Sequence, residues 1–431
     1  MKVYLISLGC AKNRVDSELI VGLLEENKIT LVDDPKEADL LVVNTCAFIE
    51  SARKEAIDTI LDIADYKDAN KKLVVVGCLP QRYDNLAELL PEVDAFISIK
   101  DYPNFINIIN NLFKSDYKGS LSFLNKHLST PNYMRYIKIS EGCLNRCAFC
   151  AIPLIRGNLK SRSIESIKEE VKKAVSEGAY EINLISQDTT RYGYDYAKQN
   201  MIVPLLEELV KIPGNFKIRL LYLYPDIISD ELINFIKDNP KVMPYFDIPI
   251  QHSEDHLLKS MNRRGNKEFL INLLKKIKTL IPEAIIRTTL IVGFPGETEE
   301  DITNLISFME DIKFDRLGAF TYSKEEGTTG AKMPGQVKES VKKARYNKVM
   351  SAQNKIALEN QQKYLNEVLE DCFITGYDEE NLMYTARNYM YAPDDIDGLI
   401  YVAAKDEHGL GDLVKVKIKD VDPYSLVGEE I

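Results

Sequence analysis

Short apolar runs alternate with amphipathic stretches along the first 115 residues. Three runs rich in β-branched residues read as strands buried on both faces, at Lys2–Leu8, Leu40–Asn44 and Lys72–Val76. Helical periodicity falls between and after them, near Ser17–Glu26, Glu50–Ala64 and Leu86–Leu90. Because strands that alternate with helices form parallel sheets, residues 1–116 are predicted to be an open parallel α/β domain.

The same alternation continues further along the chain, after a polar, turn-rich linker at residues 115–132. Six strand–helix units follow, with strands near Tyr136–Ser140, Glu181–Ser186, Lys217–Tyr224, Tyr245–Ile250, Ile285–Val292 and Arg316–Tyr322. Six parallel units predict a partial (β/α)6 barrel within residues 130–360, with its chemistry at the carboxyl ends of the strands.

The last part of the chain has two patterns of its own. Residues 338–365 contain neither Gly nor Pro and predict one long helix. Residues 361–431 then alternate apolar and polar positions in short stretches broken by Gly and Pro, which predicts a small antiparallel β-barrel. The fold class is therefore α/β, in three domains.

Three of the seven cysteines lie within eight residues, directly after the first barrel strand, at Cys143, Cys147 and Cys150. We call this set the barrel triad. Thiolates spaced C-x3-C-x2-C converge on a metal or pair as disulfides. Three ligands are one too few for a closed tetrahedral zinc site, whereas they leave one iron of a cubane cluster open to a small molecule. A zinc knuckle or incidental cysteines are the alternatives.

Three further cysteines each follow a predicted strand of the first domain, at Cys10, Cys46 and Cys78. We call these the N-terminal triad. The carboxyl ends of parallel strands face one crevice, so these side chains are expected to meet in space. A single such cysteine would be an ordinary small buried residue, but here a cysteine directly follows a predicted strand three times. Cys372, in a tail strand, is interpreted as a core residue.

The barrel triad, with Phe149 before its last cysteine, resembles the radical S-adenosylmethionine (SAM) superfamily. The whole chain resembles the methylthiotransferases, which carry a three-cysteine N-terminal domain, a radical SAM barrel and a C-terminal TRAM domain. The resemblance implies two [4Fe-4S] clusters, one on the barrel triad and an auxiliary one on the N-terminal triad. It also implies SAM on the open iron of the barrel cluster, with Phe149 near the adenine.

Other polar groups at the strand ends suit a zwitterionic nucleotide cofactor, which needs acceptors for its amine and a cation for its carboxylate. Gln187, Gln251 and Arg287 are candidates, and a loop-capping role is the alternative for each. Gly293 opens a Gly-Phe-Pro-Gly-Glu-Thr segment that lacks the Lys-Ser/Thr of a phosphate loop. It resembles the glycine motif of the radical SAM barrel that flanks the adenine. No HExxH pattern surrounds the histidines, which argues against a zinc peptidase.

The charge distribution bears on the substrate. The net charge is −11, and residues 363–431 carry 16 acidic and 6 basic side chains, a net of −10. A tail that binds RNA should be basic, because phosphate contacts dominate nucleic-acid affinity. An acidic tail attracts basic proteins instead. We expect aspartates of this tail to recruit the partner, for instance Asp394, Asp395 and Asp397.

The methylthiotransferases have two main branches, one acting on adenosine in transfer RNA and the other on an aspartate of the small-subunit ribosomal protein uS12. Three segments resemble the second branch, at Ser7–Asn13, Ile185–Thr189 and Asp247–His252. With the acidic tail they predict methylthiolation of the aspartate β-carbon (C3) in uS12. Modification of transfer RNA is the alternative within the family.

The resemblance also implies the chemistry. A radical derived from SAM removes hydrogen from the unactivated β-carbon, which then captures methylated sulfur held at the auxiliary cluster. The electron comes from a donor such as flavodoxin or ferredoxin. No apolar run approaches the ~18 residues of a membrane span, and scattered, odd-numbered cysteines fit reduced thiols, so a cytoplasmic protein is predicted. A non-catalytic RNA- or ribosome-binding protein would need closed four-ligand sites.

Overall fold

The computed structural model describes residues 1–394 and 396–431, so Asp395 lies outside the described residues. The N-terminal domain is a five-stranded parallel sheet in the order β2-β1-β3-β4-β5. Its strands β1 to β5 are Lys2–Ser7, Thr30–Leu31, Leu40–Thr45, Lys72–Gly77 and Ala95–Ser98. The three predicted strands are the central ones. The two edge strands are too short to give a periodic signal.

Helices pack on this sheet close to the cysteines. Helices α1 to α5 are Ala11–Glu26, Glu50–Ala64, Cys78–Arg82, Leu86–Leu89 and Phe105–Phe113. Helix α1 begins directly after Cys10, and α3 begins at Cys78. The thiols therefore stand where strands turn into helices, at the carboxyl edge of the sheet.

The second domain is an open arc of six parallel strands that follow one another in chain order. The strands are β6, Met134–Lys138, and β9 to β13, at Glu181–Ile185, Lys217–Leu220, Tyr245–Asp247, Ile285–Val292 and Arg316–Thr321. They form two three-stranded groups, joined where the Leu223 amide donates to the Asp247 carbonyl at 2.8 Å. Over the described residues the first and last strands are not paired, so the barrel is open.

Two short strands that the sequence did not reveal frame the loop of the barrel triad. Strand β7, Ser140–Glu141, pairs antiparallel with β8, Lys160–Ser161. The loop between them, which carries the barrel triad, therefore begins and ends on two paired strands. This hairpin limits the loop entropy that would otherwise oppose bringing three thiols together.

The longer barrel helices pack against the arc, whereas the short first one packs against the N-terminal domain. Helices α6 to α13 are Ile152–Ile155, Ile164–Ser176, Tyr194–Ala197, Ile202–Val210, Asp230–Asp238, Asp255–Ser260, Lys267–Leu280 and Glu299–Ile312. Side-chain caps fix several starts: Ser163, Ser229 and Asn266 accept backbone N–H bonds, and Thr298 forms a capping box with Asp301. The predicted long helix is α14, Glu339–Gln362.

The C-terminal domain is a closed five-stranded barrel in the order β14-β15-β16-β18-β17. Its strands are Val368–Asp378, Met383–Arg387, Ile400–Ala403, Leu413–Val421 and Leu426–Glu430. The predicted antiparallel barrel holds except for one pair, β16 with β18, which runs parallel. Cys372 is fully buried in its core, as expected.

Helix α1 is unusual because it buries polar residues between two domains. Lys12, Asn13, Asp16 and Glu18 are each less than a tenth exposed. Lys12 donates to the Ser186 carbonyl of the second domain. Helix α1 thus joins the two cysteine-bearing domains through polar contacts. Over the described residues, no helix is long and apolar enough to cross a membrane.

Candidate active site

The barrel triad lies on a loop that backbone hydrogen bonds hold in place. The Cys143 amide donates to the Gly157 carbonyl at 3.1 Å, and the Ala148 amide donates to the Met261 carbonyl at 2.9 Å. Gly142 has φ +73°, and a Cβ there would lie 2.1 Å from the Asn158 carbonyl oxygen. The residue before the first cysteine must therefore be glycine.

The three thiols of this triad share one buried environment. Burial raises the pKa of Cys143 to about 11 and that of Cys150 to about 12, and the neighbouring thiolates add to both effects. Ligation by a cationic cluster offsets such a penalty, because metal-bound cysteines are deprotonated. Donors are near: the Asn145 amide lies 3.4 Å from the Cys143 Sγ, and Arg263 Nη1 lies 3.8 Å from the Cys147 Sγ.

A buried network behind the loop was not anticipated from the sequence. Asn145 donates to Asp188 Oδ2 at 2.7 Å and accepts from Arg191 Nε at 3.2 Å. Arg191 in turn pairs with Asp226 at 2.6 Å. Asp188 belongs to the segment after β9 that resembles the uS12 branch. Its function here is to hold the cysteine loop against the next strand ends.

The structure brings two of the predicted cofactor residues to this loop. Phe149 packs in a small apolar cluster with Phe294, Met261 and Tyr322, so the aromatic residue of the loop meets the Gly-Phe-Pro-Gly segment. Gln187 donates to Glu141 Oε1 at 2.9 Å, two residues before Cys143. The Gln187 Oε1 is buried without a hydrogen-bond partner among the described residues. An orphaned acceptor beside the triad fits the amine of a zwitterionic cofactor.

Gln251 and Gly293 lie at neighbouring strand ends with left-handed backbone, φ +75° and +77°. Gln251 is buried, and its side chain turns back to the Pro249 carbonyl, which also accepts from Arg263. The Gly293 amide donates to Glu297 Oε1 at 2.8 Å. A Cβ at Gly293 would lie 2.3 Å from the Lys342 side chain, so this glycine permits close packing of α14.

Arg287 is already engaged by carboxylates of the protein. It is the third residue of β12 and pairs in register with Asp247, the last residue of β11. Its guanidinium is held by Asp247 at 2.9 Å and by Asp397 of the C-terminal domain at 3.1 Å. Its part in binding SAM therefore stays a prediction.

The N-terminal triad converges at the edge of its sheet, as the strand-end pattern predicts. A Cβ on Gly9, beside Cys10, would lie 2.8 Å from the Cys46 Cβ. Asn13 organises the group: its Nδ2 donates to the Leu8 and Thr45 carbonyls, and its Oδ1 lies 3.5 Å from the Cys78 Sγ. One helix thus connects all three strand ends.

Two thiols of this triad are also hard to ionise alone, whereas the third is not: burial alone would raise the pKa of Cys10, but Lys12 and Arg156 outweigh it and lower that pKa. Burial raises the pKa of Cys78 to about 12 and raises that of Cys46. Among residues 1–394 and 396–431, no three Cys, His or carboxylate side chains are spaced to hold one metal ion. In an iron–sulfur cube each thiolate binds a different iron, so its ligands stand further apart. The chemistry of the donors, three thiols at one edge of the sheet, fits an iron–sulfur cluster.

Arg156 connects the two cysteine sites. It follows the barrel triad by six residues, yet its guanidinium lies 3.4 Å from the Cys78 Sγ of the N-terminal triad. It also pairs with Asp16 of α1 at 2.7 Å and with Glu141 at 3.0 Å. Lys138 completes the set by contacting the same two carboxylates. Apart from the presence of an arginine after Ile155, nothing in the sequence indicates this role.

Contacts of the C-terminal domain change the interpretation of its acidic residues. Asp397 is buried and pairs with Arg287, while Asp394 pairs with Arg14 at 3.0 Å. Glu181 of β9 holds Arg387 of β15 and also Arg219, with all three side chains almost fully buried. Asp397 thus docks this domain on the barrel, and Asp394 is paired with an arginine rather than standing free on the surface.

Three family models match successive parts of the chain. Residues 2–98 match an uncharacterized protein family, UPF0004, residues 137–309 match the radical SAM superfamily, and residues 369–431 match the TRAM domain. Fold and cysteine loop together thus define a radical SAM protein with a second three-cysteine domain and a TRAM barrel.

Curated relatives narrow this class. Proteins named ribosomal protein uS12 methylthiotransferase RimO are 45% identical in Geobacter sulfurreducens, 46% in Geotalea uraniireducens and 43% in Clostridioides difficile. The matches span 99–100% of this chain and 98% of each relative. The chain belongs to the RimO family of radical SAM methylthiotransferases. Enzymes of this kind use SAM and two [4Fe-4S] clusters.

Solved structures agree on the fold. The radical SAM methyltransferase TsrM from Kitasatospora setae aligns with a TM-score of 0.55 at 16% identity, covering 74% of each chain. The cobalamin-dependent SAM radical enzyme OxsB aligns with a TM-score of 0.52 at 14% identity, covering 82% of this chain and 56% of that one. At such identities the likeness concerns the fold alone.

Proposed function

We propose that this protein methylthiolates the β-carbon of an aspartate in ribosomal protein uS12. The observation that carries the proposal is the pair of separate three-cysteine sites joined by one buried network. A radical reaction that also transfers sulfur needs a site for SAM and a second site for the sulfur. Relatives that match the whole length of the chain are named ribosomal protein uS12 methylthiotransferases, which supports uS12 as the substrate protein.

In this proposal the barrel triad holds the cluster that binds SAM, and Phe149, Gln187 and Gln251 surround the cofactor. Bound there, the cluster and SAM supply the radical chemistry that removes an unactivated hydrogen. The protein's share is positioning: the β7–β8 hairpin fixes the loop, the orphaned Gln187 Oε1 accepts from the SAM amine, and the Phe149 cluster keeps water from the adenine. Gly293 contributes by letting α14 close against this side of the site.

The N-terminal triad is proposed to hold the auxiliary cluster that carries the sulfur. Three thiols leave one position of that cluster open, and Cys10 is the exposed member of the triad. The reductant is proposed to be a small electron carrier such as flavodoxin or ferredoxin. A ribosomal substrate and a reduced carrier both belong to the cytoplasm, which is the proposed location.

The surface charge of the TRAM domain favours a basic protein over transfer RNA. Although Asp394 and Asp397 are paired with arginines, other acidic side chains of the domain remain exposed, among them Glu379, Glu380, Asp406 and Glu407. These carboxylates repel phosphates and attract a basic partner, with a strength that salt reduces.

The test compares the two candidate substrates in separate reactions. Anaerobically reconstituted protein is incubated with SAM, a reductant, and either uS12 or unmodified transfer RNA. We expect uS12 to gain the mass of one methylthio group, with fragmentation placing it on an aspartate β-carbon. Cys78→Ala should abolish this transfer while SAM is still cleaved, and Cys372→Ala serves as the matched control that keeps both activities. Modification of transfer RNA instead of uS12 would assign the protein to the other branch.

A further inference from the structure

A pocket of about 340 Å³ lies where all three domains meet, in the lower part of the ~300–1,000 Å³ range of ligand sites. Cys10 and Arg14 line it from the N-terminal domain, Tyr136 and Arg287 from the barrel, and Asp394 from the TRAM domain. It is the pocket onto which a thiol of the N-terminal triad opens. A substrate side chain that receives sulfur from that triad has to reach this place.

The two arginines of the pocket differ in the number of carboxylates they contact and in how exposed their side chains are. Arg287 is held by two buried carboxylates, Asp247 and Asp397, and its side chain is 17% exposed. Arg14 has a single carboxylate partner among the described residues, Asp394, and both of these side chains are more than a third exposed. An ion pair this exposed contributes little free energy. Arg14 is therefore the cation that can exchange its partner.

Asp394 shows what kind of group the pocket accepts. Its Oδ1 accepts from Arg14 Nη1 at 3.0 Å, and its Oδ2 accepts from the Tyr136 hydroxyl at 2.6 Å. Both oxygens of one carboxylate are thus bound, by donors from two other domains. Asp394 has φ +61°, the left-handed conformation that aspartate adopts more readily than most non-glycine residues.

We propose that Arg14 and Tyr136 bind the carboxylate of the substrate's target side chain, and that Asp394 takes its place in the free protein. The inference rests on the proposed function, since it concerns the aspartate that receives the methylthio group. A carboxylate fixed through both oxygens presents the adjoining β-carbon in one orientation toward the sulfur site. The substrate displaces Asp394, which makes recognition specific for an acidic side chain.

This arrangement predicts a sharp preference between two nearly identical ligands. Aspartate keeps both charge-assisted hydrogen bonds, whereas asparagine loses the charge and one acceptor oxygen. A hydrogen bond to a charged group changes affinity by about 10- to 100-fold. The wild-type protein should therefore bind a uS12 peptide with aspartate at the target position about 10- to 100-fold more tightly than the same peptide with asparagine.

The test measures binding of these two peptides to the reconstituted holoenzyme by fluorescence anisotropy without reductant. Arg14→Met should reduce the aspartate-to-asparagine preference to near one, and Tyr136→Phe should reduce it in part. Asp394→Asn weakens the internal competitor while keeping its shape, so it should tighten binding of both peptides, because each has to displace the same side chain. Lys54→Met and Glu380→Gln, which change exposed charges in the same two domains, are matched controls.

The outcomes separate this inference from the proposed function. If wild-type protein methylthiolates uS12 and Arg14→Met keeps the full preference for aspartate, the carboxylate site is refuted and the function stands. Looser binding of the aspartate peptide by Asp394→Asn would likewise overturn the exchange. If wild-type protein modifies transfer RNA and leaves uS12 unchanged, both fall together. Iron content and thermal unfolding of each variant distinguish a folded protein from a damaged one.

Discussion

Replacing Arg156 by Met removes a buried cation that contacts both cysteine-bearing domains. The Arg156 and Asp16 side chains are 2% and 1% exposed, and Glu141 is the second carboxylate partner. Removing one member of a buried pair destabilises by about 3–5 kcal/mol. Lys138 still faces both carboxylates, so we expect the lower end, about 3 kcal/mol. At roughly 2–4 °C per kcal/mol, Tm should fall by roughly 6–12 °C.

The same substitution should change the auxiliary cluster. Arg156 donates toward the Cys78 Sγ, and hydrogen bonds to ligand sulfurs raise the potential of iron–sulfur clusters. A redox titration followed by electron paramagnetic resonance, in a background without the barrel triad, should show a more negative midpoint for Arg156→Met. Arg156→Lys is the matched control, because it keeps the charge and loses the forked geometry. An unchanged Tm and midpoint in Arg156→Met would refute the reasoning.

Further predictions concern the domain contact, the clusters and acid stability. Glu181→Gln leaves Arg219 and Arg387 buried without a carboxylate, so limited proteolysis should release the TRAM domain earlier than in wild type; unchanged cleavage would show that other contacts suffice. Alanine at all three positions of the barrel triad should leave about half the iron after reconstitution, because the N-terminal triad stands on its own sheet, and loss of all iron or of none would contradict two independent clusters. Burial opposes ionisation of Glu141, but Lys138 and the neighbouring arginine outweigh it and lower the pKa to about 2. The stabilisation is full above the unfolded pKa of about 4.3 and is lost as pH falls toward 2, so urea unfolding of wild type should weaken over that window more than that of Glu141→Gln.

The sequence predicted features that depend on local pattern and on general rules of parallel sheets. Cys10, Cys46 and Cys78 are far apart along the chain, but each ends a strand, and the sheet brings strand ends to one edge. Six apolar strands in regular alternation were enough for the open barrel. Short edge strands and the β7–β8 hairpin carry too few residues for any periodicity.

Contacts between domains could not be predicted from local sequence patterns. Arg287 lies in a barrel strand, as expected, but one of its two carboxylate partners, Asp397, comes from the TRAM domain. A count of charged residues likewise treats every aspartate of the tail as free, whereas Asp394 and Asp397 are paired with arginines. Such outcomes depend on which surfaces meet, and no local pattern records that.

Arg156 also gives the chain an order of assembly. Cys78 precedes Arg156 by 78 residues, so at roughly 5–20 residues per second the ribosome adds the arginine about 4–16 s after the last cysteine of the N-terminal triad. Because N-terminal domains fold first during synthesis, the sheet can present its three thiols in an open crevice before the barrel exists. The iron-delivery machinery of the cell then has free access to this site. Folding of the barrel then brings the Arg156 guanidinium beside Cys78, so this side of the site is covered last, while Cys10 stays exposed.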